Sequence, residues 1–319
     1  MKGKIMKILL ISVIILVGIV VVLVALTYPQ YNREMSVAQG NLIAGSEIFK
    51  TDRGDIEYTE TGEGIPVLFL HGAGGGYDQG LWGGKVYLGD GYKFISVSRY
   101  GYLRSPIPAN ASIKTQAALY KELLDYLKIE KVVVIGASAG GPSATQFTND
   151  YPERVSNLIL LSAVSMPRAP GDKDPFYVNI IYAIQQSDYA YWLVSKNFQP
   201  QFLDLLGVPS DVYQTYTSEQ KILAQEMLDV MHPMTQRYKG AINDGKMIEL
   251  DDPSTENLSA PTLIIHTKDD ALVSYEHAEN AHRRIEQSEL ILFDTGGHAM
   301  ISQLDEVREL TNTFVNESI

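Results

Sequence analysis

Residues 131–147 read KVVVIGASAGGPSATQF, and the fold turns on how this stretch is interpreted. Val132, Val133, Val134 and Ile135 form a short continuous apolar run, as expected of a strand buried on both faces. The run breaks into Gly136-Ala137-Ser138-Ala139-Gly140-Gly141 and resumes in a helical pattern. A serine at so sharp a corner, fenced by glycines, either cradles a phosphate or presents a nucleophile.

Strand and helix alternate on both sides of this corner. IPVLFLHG (65–72) and YKFISVSRYG (92–101) read as strands, and TQAALYKELLDYLKI (115–129) as a helix from the spacing of Ala118, Leu119, Leu123, Leu124 and Leu127. After the corner come a helix ended by Pro152 and the strand RVSNLILLSAV (154–164). APTLIIHTKDD (260–270) and SELILFDTGGH (288–298) are further strands, with a helix in SYEHAENAHRRIEQ (274–287) between them and a last helix over 301–315. This alternation predicts an α/β class with a mostly parallel sheet covered on both faces. Ahead of it, SEIFKTDRGDIEYTETG (46–62) carries two alternating runs joined at Arg53-Gly54, a hairpin signal. From Met166 to Leu258 no strand is evident. Unstructured loops of that length are rare in compact domains, so the segment reads as a helical insertion. The expected organisation is a core of residues 47–165 and 259–319 split by a cap of residues 166–258.

The amino terminus reads MKGKIMKILLISVIILVGIVVVLVALTYPQ, with Lys2, Lys4 and Lys7 ahead of an uncharged run from Ile8 to Leu26. At ~1.5 Å per residue that run spans about 28 Å, close to a bilayer's hydrocarbon core. Residues 1–27 are expected to be a single-pass transmembrane anchor, the lysines placing the amino terminus in the cytoplasm and the remainder outside. A cleaved signal peptide and a secreted product is the alternative; its apolar region is usually shorter. Residues 28–46 read as a juxtamembrane linker. The chain of 319 residues has a formal net charge of −12, which disfavours a nucleic-acid partner, and no cysteine, which excludes disulfides and thiolate chemistry. Asn110, Asn257 and Asn316 each open an Asn-x-Ser sequon, meaningful only in a eukaryotic secretory route. Oligomeric state stays open.

A phosphate-binding corner requires a recognisable glycine pattern. Neither GASAGGPS (136–143) nor GGGYDQGLWGGKV (74–86) supplies G-x-x-x-x-G-K-[ST] or G-x-G-x-x-G, and no acidic residue stands where a ribose ligand would. Gly136-Ala137-Ser138-Ala139-Gly140 does match G-x-S-x-G between a strand and a helix, the setting of a nucleophile elbow. The bland reading, a glycine-rich strand-to-helix turn, fits the pentapeptide alone. Three further features weigh against it. In FLHGAGGGYD (69–78), His71-Gly72 opens a loop suited to bringing backbone N–H groups to a substrate carbonyl, with His71 holding that loop. Asp269 and Asp270 end a later strand, and either serves as an acid. His298 follows the last strand between Gly297 and Ala299, giving the order Ser…Asp…His.

With these motifs the sequence resembles the α/β-hydrolase superfamily, in the branch with a helical cap. SRYGYLRSP (98–106), YPERVSNLILLS (151–162) and HTKDDALVSYEHAE (266–279) sit where that family keeps its equivalents, and the likeness runs from Glu47 to the carboxyl terminus. The resemblance implies an eight-stranded, mostly parallel sheet with helices on both faces. It implies Ser138 as nucleophile, His298 as general base and Asp270 as the triad acid, with Asp269 the second choice. The backbone N–H groups of Ala73 and Ala139 would form the oxyanion hole. Three positions depart from the family pattern: Thr267 replaces a glycine, Ser98 an aspartate and Leu103 a glycine. A serine at the elbow separates the chain from relatives that attack with a carboxylate.

The implied reaction is hydrolysis of a carboxylic ester through an acyl-enzyme, with no metal and no organic cofactor. Cleavage of a carbon–carbon bond, amide or lactone by the same triad is the alternative, as is a non-catalytic ligand receptor on the same fold. Phe176, Tyr177, Tyr182, Tyr189, Trp192, Phe198, Phe202, Met227, Met231 and Met234 make the insertion apolar. Most are expected to pack the cap; the rest would line a pocket for a small apolar ester or acyl group. Gly72, Trp192 and Met231 are the substrate contacts expected. His232 is read as a surface residue within reach of a substrate, and His277 and His282 as solvated.

Overall fold

In the computed structural model, which describes residues 2–168, 171 and 175–317, eight strands form one sheet. They are β1 (Glu47–Phe49), β2 (Ile56–Thr61), β3 (Ile65–Leu70), β4 (Tyr92–Val97), β5 (Val132–Ala137), β6 (Val155–Leu161), β7 (Thr262–Thr267) and β8 (Ser288–Phe293). Their spatial order is β1-β2-β4-β3-β5-β6-β7-β8. β1 and β2 form the antiparallel hairpin, β2 runs antiparallel to β4, and every other pairing is parallel. β5, the strand of the opening stretch, lies between β3 and β6.

The chain divides into two compact units, residues 1–43, which hold nearly all of the amino-terminal helix α1 (Lys2–Ala44), and residues 44–319. The expectation of a membrane anchor over residues 1–27 finds no support here. Among the described residues, no helix is long and apolar enough to cross a membrane. Several side chains of the run Ile8–Leu26 lie outside the described residues. The helix also does not stop where the apolar run stops. Residues 28–46, read as a linker, are helical as far as Ala44, through Pro29.

Alternation of side chains along the strands builds two apolar layers. Leu68, Leu70, Val132 and Val134 pack with α3 (Ile113–Tyr126), α4 (Gly141–Asp150) and α11 (Glu276–Arg284) on one face. Val67, Phe69, Val133 and Ile135 pack with α2 (Tyr77–Tyr87) and α12 (Leu304–Glu317) on the other. Between β6 and β7 the described residues form α5 (Phe176–Gln185), α6 (Asp188–Asn197), α7 (Gln199–Leu205), α8 (Ser210–Thr215), α9 (Ser218–Asp229) and α10 (Tyr238–Leu250). Residues 169–170 and 172–174 of the expected cap lie outside the described residues. The insertion packs a small apolar cluster around Tyr191, Phe202, Leu228 and Met234, which Ala299 and Ile301 of the core join.

The turn from β5 into α4 depends on backbone passing close to backbone. A Cβ on Gly140 would overlap the Leu70 carbonyl oxygen and stand 2.8 Å from that of His71. Leu70 is paired with both β4 and β5, so the backbone at this point has little freedom to retreat. Gly140→Ala is therefore expected to cost about 3 kcal/mol. Urea unfolding monitored by circular dichroism should show a lower midpoint with an unchanged slope.

Candidate active site

β5 ends at Ala137, and Ser138 adopts φ 50°, the left-handed region that a non-glycine residue rarely occupies. Residues Ser138–Gly140 make a single 3-10 turn before α4. Two contacts hold Ser138 in this conformation. The Val164 N–H donates to the Ser138 carbonyl at 3.0 Å, and the bare Cα of Gly136 lets Ala144 of α4 come close, since a Cβ there would lie 2.6 Å from the Ala144 Cβ. Such strain persists only where the surroundings over-determine it.

The two adjacent aspartates at the end of β7 divide their work. Asp270 accepts from His298 Nδ1 at 2.7 Å through Oδ2, and from the Leu272 and Val273 N–H groups at 2.9 Å through Oδ1. His266 Nε2 lies 3.2 Å from Asp270 Oδ2 and 2.8 Å from the Val273 carbonyl. Burial by itself would raise the Asp270 carboxyl. The facing charge of His298, the hydrogen bonds from His266 and His298 and that from the Val273 N–H override it, holding the group far below the usual carboxylate range. An ionised Asp270 only accepts, so His298 Nδ1 carries the proton of this hydrogen bond. Asp269 instead accepts from the Gly296 and Gly297 N–H groups at 3.1 and 2.9 Å, fixing the loop that carries His298. From the insertion, the Gly207 carbonyl accepts the His298 N–H at 2.9 Å.

Ser138 and His298 line one cavity of about 290 Å³, together with Gly72, Ala73, Ala139 and Met231 as expected from the sequence. Trp192 does not line it. It is 2% exposed, stacked on Tyr189 with ring centroids 6.1 Å apart, and packs the insertion instead. Tyr182 and Met227 are the other expected aromatic or methionine residues in the lining. Phe176 and Phe198 are exposed. His71 is buried. Its Nε2 accepts from the Arg99 N–H at 3.1 Å, which leaves Nδ1–H to donate to the Gly72 carbonyl at 2.7 Å, so it does hold the glycine loop. His232 is no surface residue: it is buried edge-on to Tyr191, and burial pushes it down to about 4. His277 is not free in solvent either. Its Nδ1 accepts from the Ser165 and Met166 N–H groups at 3.0 and 3.1 Å, at the turn where the chain leaves β6 for the insertion. His282 is exposed. Among the described residues, no group of three or more His, Asp or Glu could hold a metal ion.

Two buried arginine clamps escaped the sequence reading. Arg99 donates twice to Asp244 of α10 at 2.6 Å, and Arg237 donates to both oxygens of Asp78 at the start of α2, at 2.8 and 2.6 Å. Each joins the insertion to the core beside the glycine loop. No sequence spacing signals them, because the partners lie far apart along the chain.

Residues 65–303 match the family described as alpha/beta hydrolase fold. The chain belongs to that family. The "Uncharacterized hydrolase YcgS" of Bacillus subtilis (strain 168) is 30% identical over 262 residues, covering 79% of this chain and 91% of that protein. The 2-hydroxy-6-oxo-6-phenylhexa-2,4-dienoate hydrolase of Comamonas testosteroni is 25% identical across 88% of this chain and 99% of its own. Among solved structures, the esterase EaEST from Exiguobacterium antarcticum is 26% identical with a TM-score of 0.61, over 86% of this chain and 99% of that one. This alpha/beta hydrolase thus shares its fold with proteins named for more than one reaction.

Protonating His277 at Nδ1 would break both of its backbone hydrogen bonds. Burial, with the nearby His266, lowers its pKa from 6.5 to about 4. The unfolded chain binds this proton as pH falls below 6.5 and the folded chain does not, so stability is full above 6.5 and declines toward pH 4. His277→Gln should flatten that decline by about 3 kcal/mol, read as the difference between urea unfolding at pH 7 and at pH 4.

Proposed function

We propose that the chain is a serine hydrolase that cleaves neutral carboxylic esters through an acyl-enzyme. The observation that carries this reading is the His298–Asp270 contact, which orients the His298 ring at a cavity that Ser138 also lines. In this mechanism Nε2 takes the Ser138 proton as Oγ attacks the ester carbonyl carbon. Asp270 fixes the imidazole tautomer and stabilises its charged form. The backbone N–H groups of Ala73 and Ala139 face the developing oxyanion, each worth about 3 kcal/mol in the transition state. The imidazolium then gives its proton to the leaving alkoxide. A water, deprotonated in the same way, releases the acid and restores Ser138.

Charge supports an ester over an acidic substrate. Among the described residues no Lys, Arg, Asp or Glu lines the cavity, and Arg99 and Arg237 are each engaged by an aspartate. A substrate carboxylate would enter without a counter-charge. The likeness to an esterase at 26% identity points the same way. The second reading, carbon–carbon bond hydrolysis by the same three residues, is favoured by the relative that acts on a dienoate, itself a carboxylate.

A fluorophosphonate probe should label the intact protein, and Ser138→Ala should abolish the labelling. With p-nitrophenyl esters, Ser138→Ala and Asp270→Asn should each lower kcat by about 10⁴, and Asp269→Asn by much less. Turnover of dienone acids with p-nitrophenyl esters untouched would reject the ester reading.

A further inference from the structure

The cavity has two differently built sides. Toward the insertion its walls include Val178, Tyr182, Leu206, Met227 and Leu272, all of them half-buried and so still in contact with solvent. Toward the core its walls include Phe69, Ala137 and Leu161 of the sheet, Gly83 and Tyr87 of α2, and Met300. Phe69 and Leu161 are 2% exposed and Met300 1%, and Gly83 and Tyr87 are buried with them. One side opens outward; the other ends blind among packed apolar side chains.

The blind arm has a measurable depth. Phe69 of β3 is in register with Ile135 of β5, three residues before Ser138, a descent of about 10 Å along the strands. α2 gives the same scale. A spacing of four places Gln79, Gly83 and Tyr87 on one face of that helix, and all three line the cavity. Gln79 lies against the glycine loop, since a Cβ on Gly75 would overlap its Oε1, and Tyr87 stands two turns further, about 12 Å along the axis. Phe69 and Gly83 meet at the floor: a Cβ on Gly83 would lie 2.7 Å from the Phe69 Cζ. The Tyr87 hydroxyl donates to the Ala299 carbonyl at 2.8 Å, so it asks no hydrogen bond of an occupant.

We propose, resting on the serine hydrolase reading above, that this arm between α2 and the sheet holds the acyl chain of the substrate, and that the chain is unbranched, apolar and about eight carbons long. The length follows from the depth, because an extended alkyl chain advances about 1.3 Å per carbon. The assignment of acyl group to arm follows from the order of events. The acyl group stays bonded to Ser138 Oγ through the acyl-enzyme, whereas the alcohol departs first. The group that stays fits the blind arm, and the group that leaves fits the side open to solvent. Each methylene that enters the arm is worth about fourfold in binding, and a methylene beyond the Phe69–Gly83 floor gains nothing.

The test uses the Ser138→Ala protein, which retains the cavity without the attacking oxygen. Calorimetry with methyl esters from butanoate to dodecanoate varies the acyl chain alone, and affinity should rise about fourfold per methylene as far as octanoate and then level off. Adding Gly83→Ala, which presses the Phe69 ring into the arm, should move that limit down to hexanoate. Adding Phe69→Leu, which lowers the floor, should move it up to decanoate, and this second variant decides the matter if Gly83→Ala does not fold. Alkyl acetates of the same lengths, which vary the alcohol alone, should show no limit that either substitution moves. A limit that neither substitution moves, no dependence on acyl length, or a shift confined to the alkyl acetates overturns the assignment. Turnover of both series by the unsubstituted protein is scored separately. Failure to hydrolyse any of them sinks the ester reading, while the binding series still decides the arm.

Discussion

The constraint on which the rest depends is the close passage of the β5–α4 turn past the end of β3. Only a residue without a side chain fits at 140 against the Leu70 and His71 carbonyls, and only one fits at 136 against Ala144. Between those two positions the chain has no room to relax sideways, and Ser138 is driven to φ 50°. The sheet supplies the rigidity. β5 is paired on both sides, with β3 and β6, so neither neighbour yields without losing parallel pairing. The same β3 segment continues into His71, whose ring locks the glycine loop to the Arg99 backbone. Strain at Ser138 and order in the facing loop thus share one structural origin.

The histidine side of the site is assembled differently, from loops rather than from the sheet interior. Asp270 accepts at Oδ1 from two N–H groups of its own loop, and His298 is held at its ring by Asp270 Oδ2 and at its backbone by Gly207. Burying a carboxylate is costly unless donors replace its water, and the N–H groups of Leu272 and Val273 with the two imidazoles do so. Asp269 keeps the neighbouring loop in register through Gly296 and Gly297. Because Gly207 belongs to the insertion, the placement of His298 depends on that insertion being seated. The Arg99–Asp244 and Arg237–Asp78 clamps seat it, and removing one partner from such a buried pair strands a charge.

Local pattern exposed the sheet and the motifs at strand ends. Apolar runs between turn residues marked β3 to β8, and the order Ser138, Asp270, His298 was readable because each follows a strand. α2 was not readable. Its interior holds Gly80, Gly83 and Gly84, which erase apolar periodicity, yet those glycines let the helix lie against Phe69 and Phe94. Side-chain destinations in the insertion were equally hidden. Helical spacing sets which residues share a face, not whether the face meets a cavity or another helix, so Met231 reached the cavity and Trp192 did not. His277 and His232 were misplaced for the same reason: burial is a tertiary property. The α1 segment shows the limit of composition, since the uncharged run Ile8–Leu26 gives no sign that the helix continues through polar sequence to Ala44.

The three departures from the family pattern have a common physical logic, which is compensation from a neighbour. Ser98 lacks the carboxylate usual at its position, but Glu57 on the adjoining β2 supplies one. Buried there, Glu57 accepts from Ser98 Oγ at 2.8 Å, from Arg104 Nε at 2.6 Å and from Ser46 Oγ at 2.8 Å. Ser98 Oγ in turn accepts the Tyr77 N–H at 3.1 Å, tying this hub to the start of α2. Leu103 sits at φ 50°, where glycine would be unstrained, and its N–H donates to the Gln236 carbonyl at 2.9 Å. Its side chain lies where a Cβ on Gly76 would be 2.5 Å away, so it fills the space beside the glycine loop. Thr267 uses its hydroxyl to donate to the Gly297 carbonyl at 3.1 Å, one residue before His298. The Thr267 hydroxyl thus ties the residue before His298, the Ser98 hydroxyl ties the start of α2, and the Leu103 side chain packs against the glycine loop.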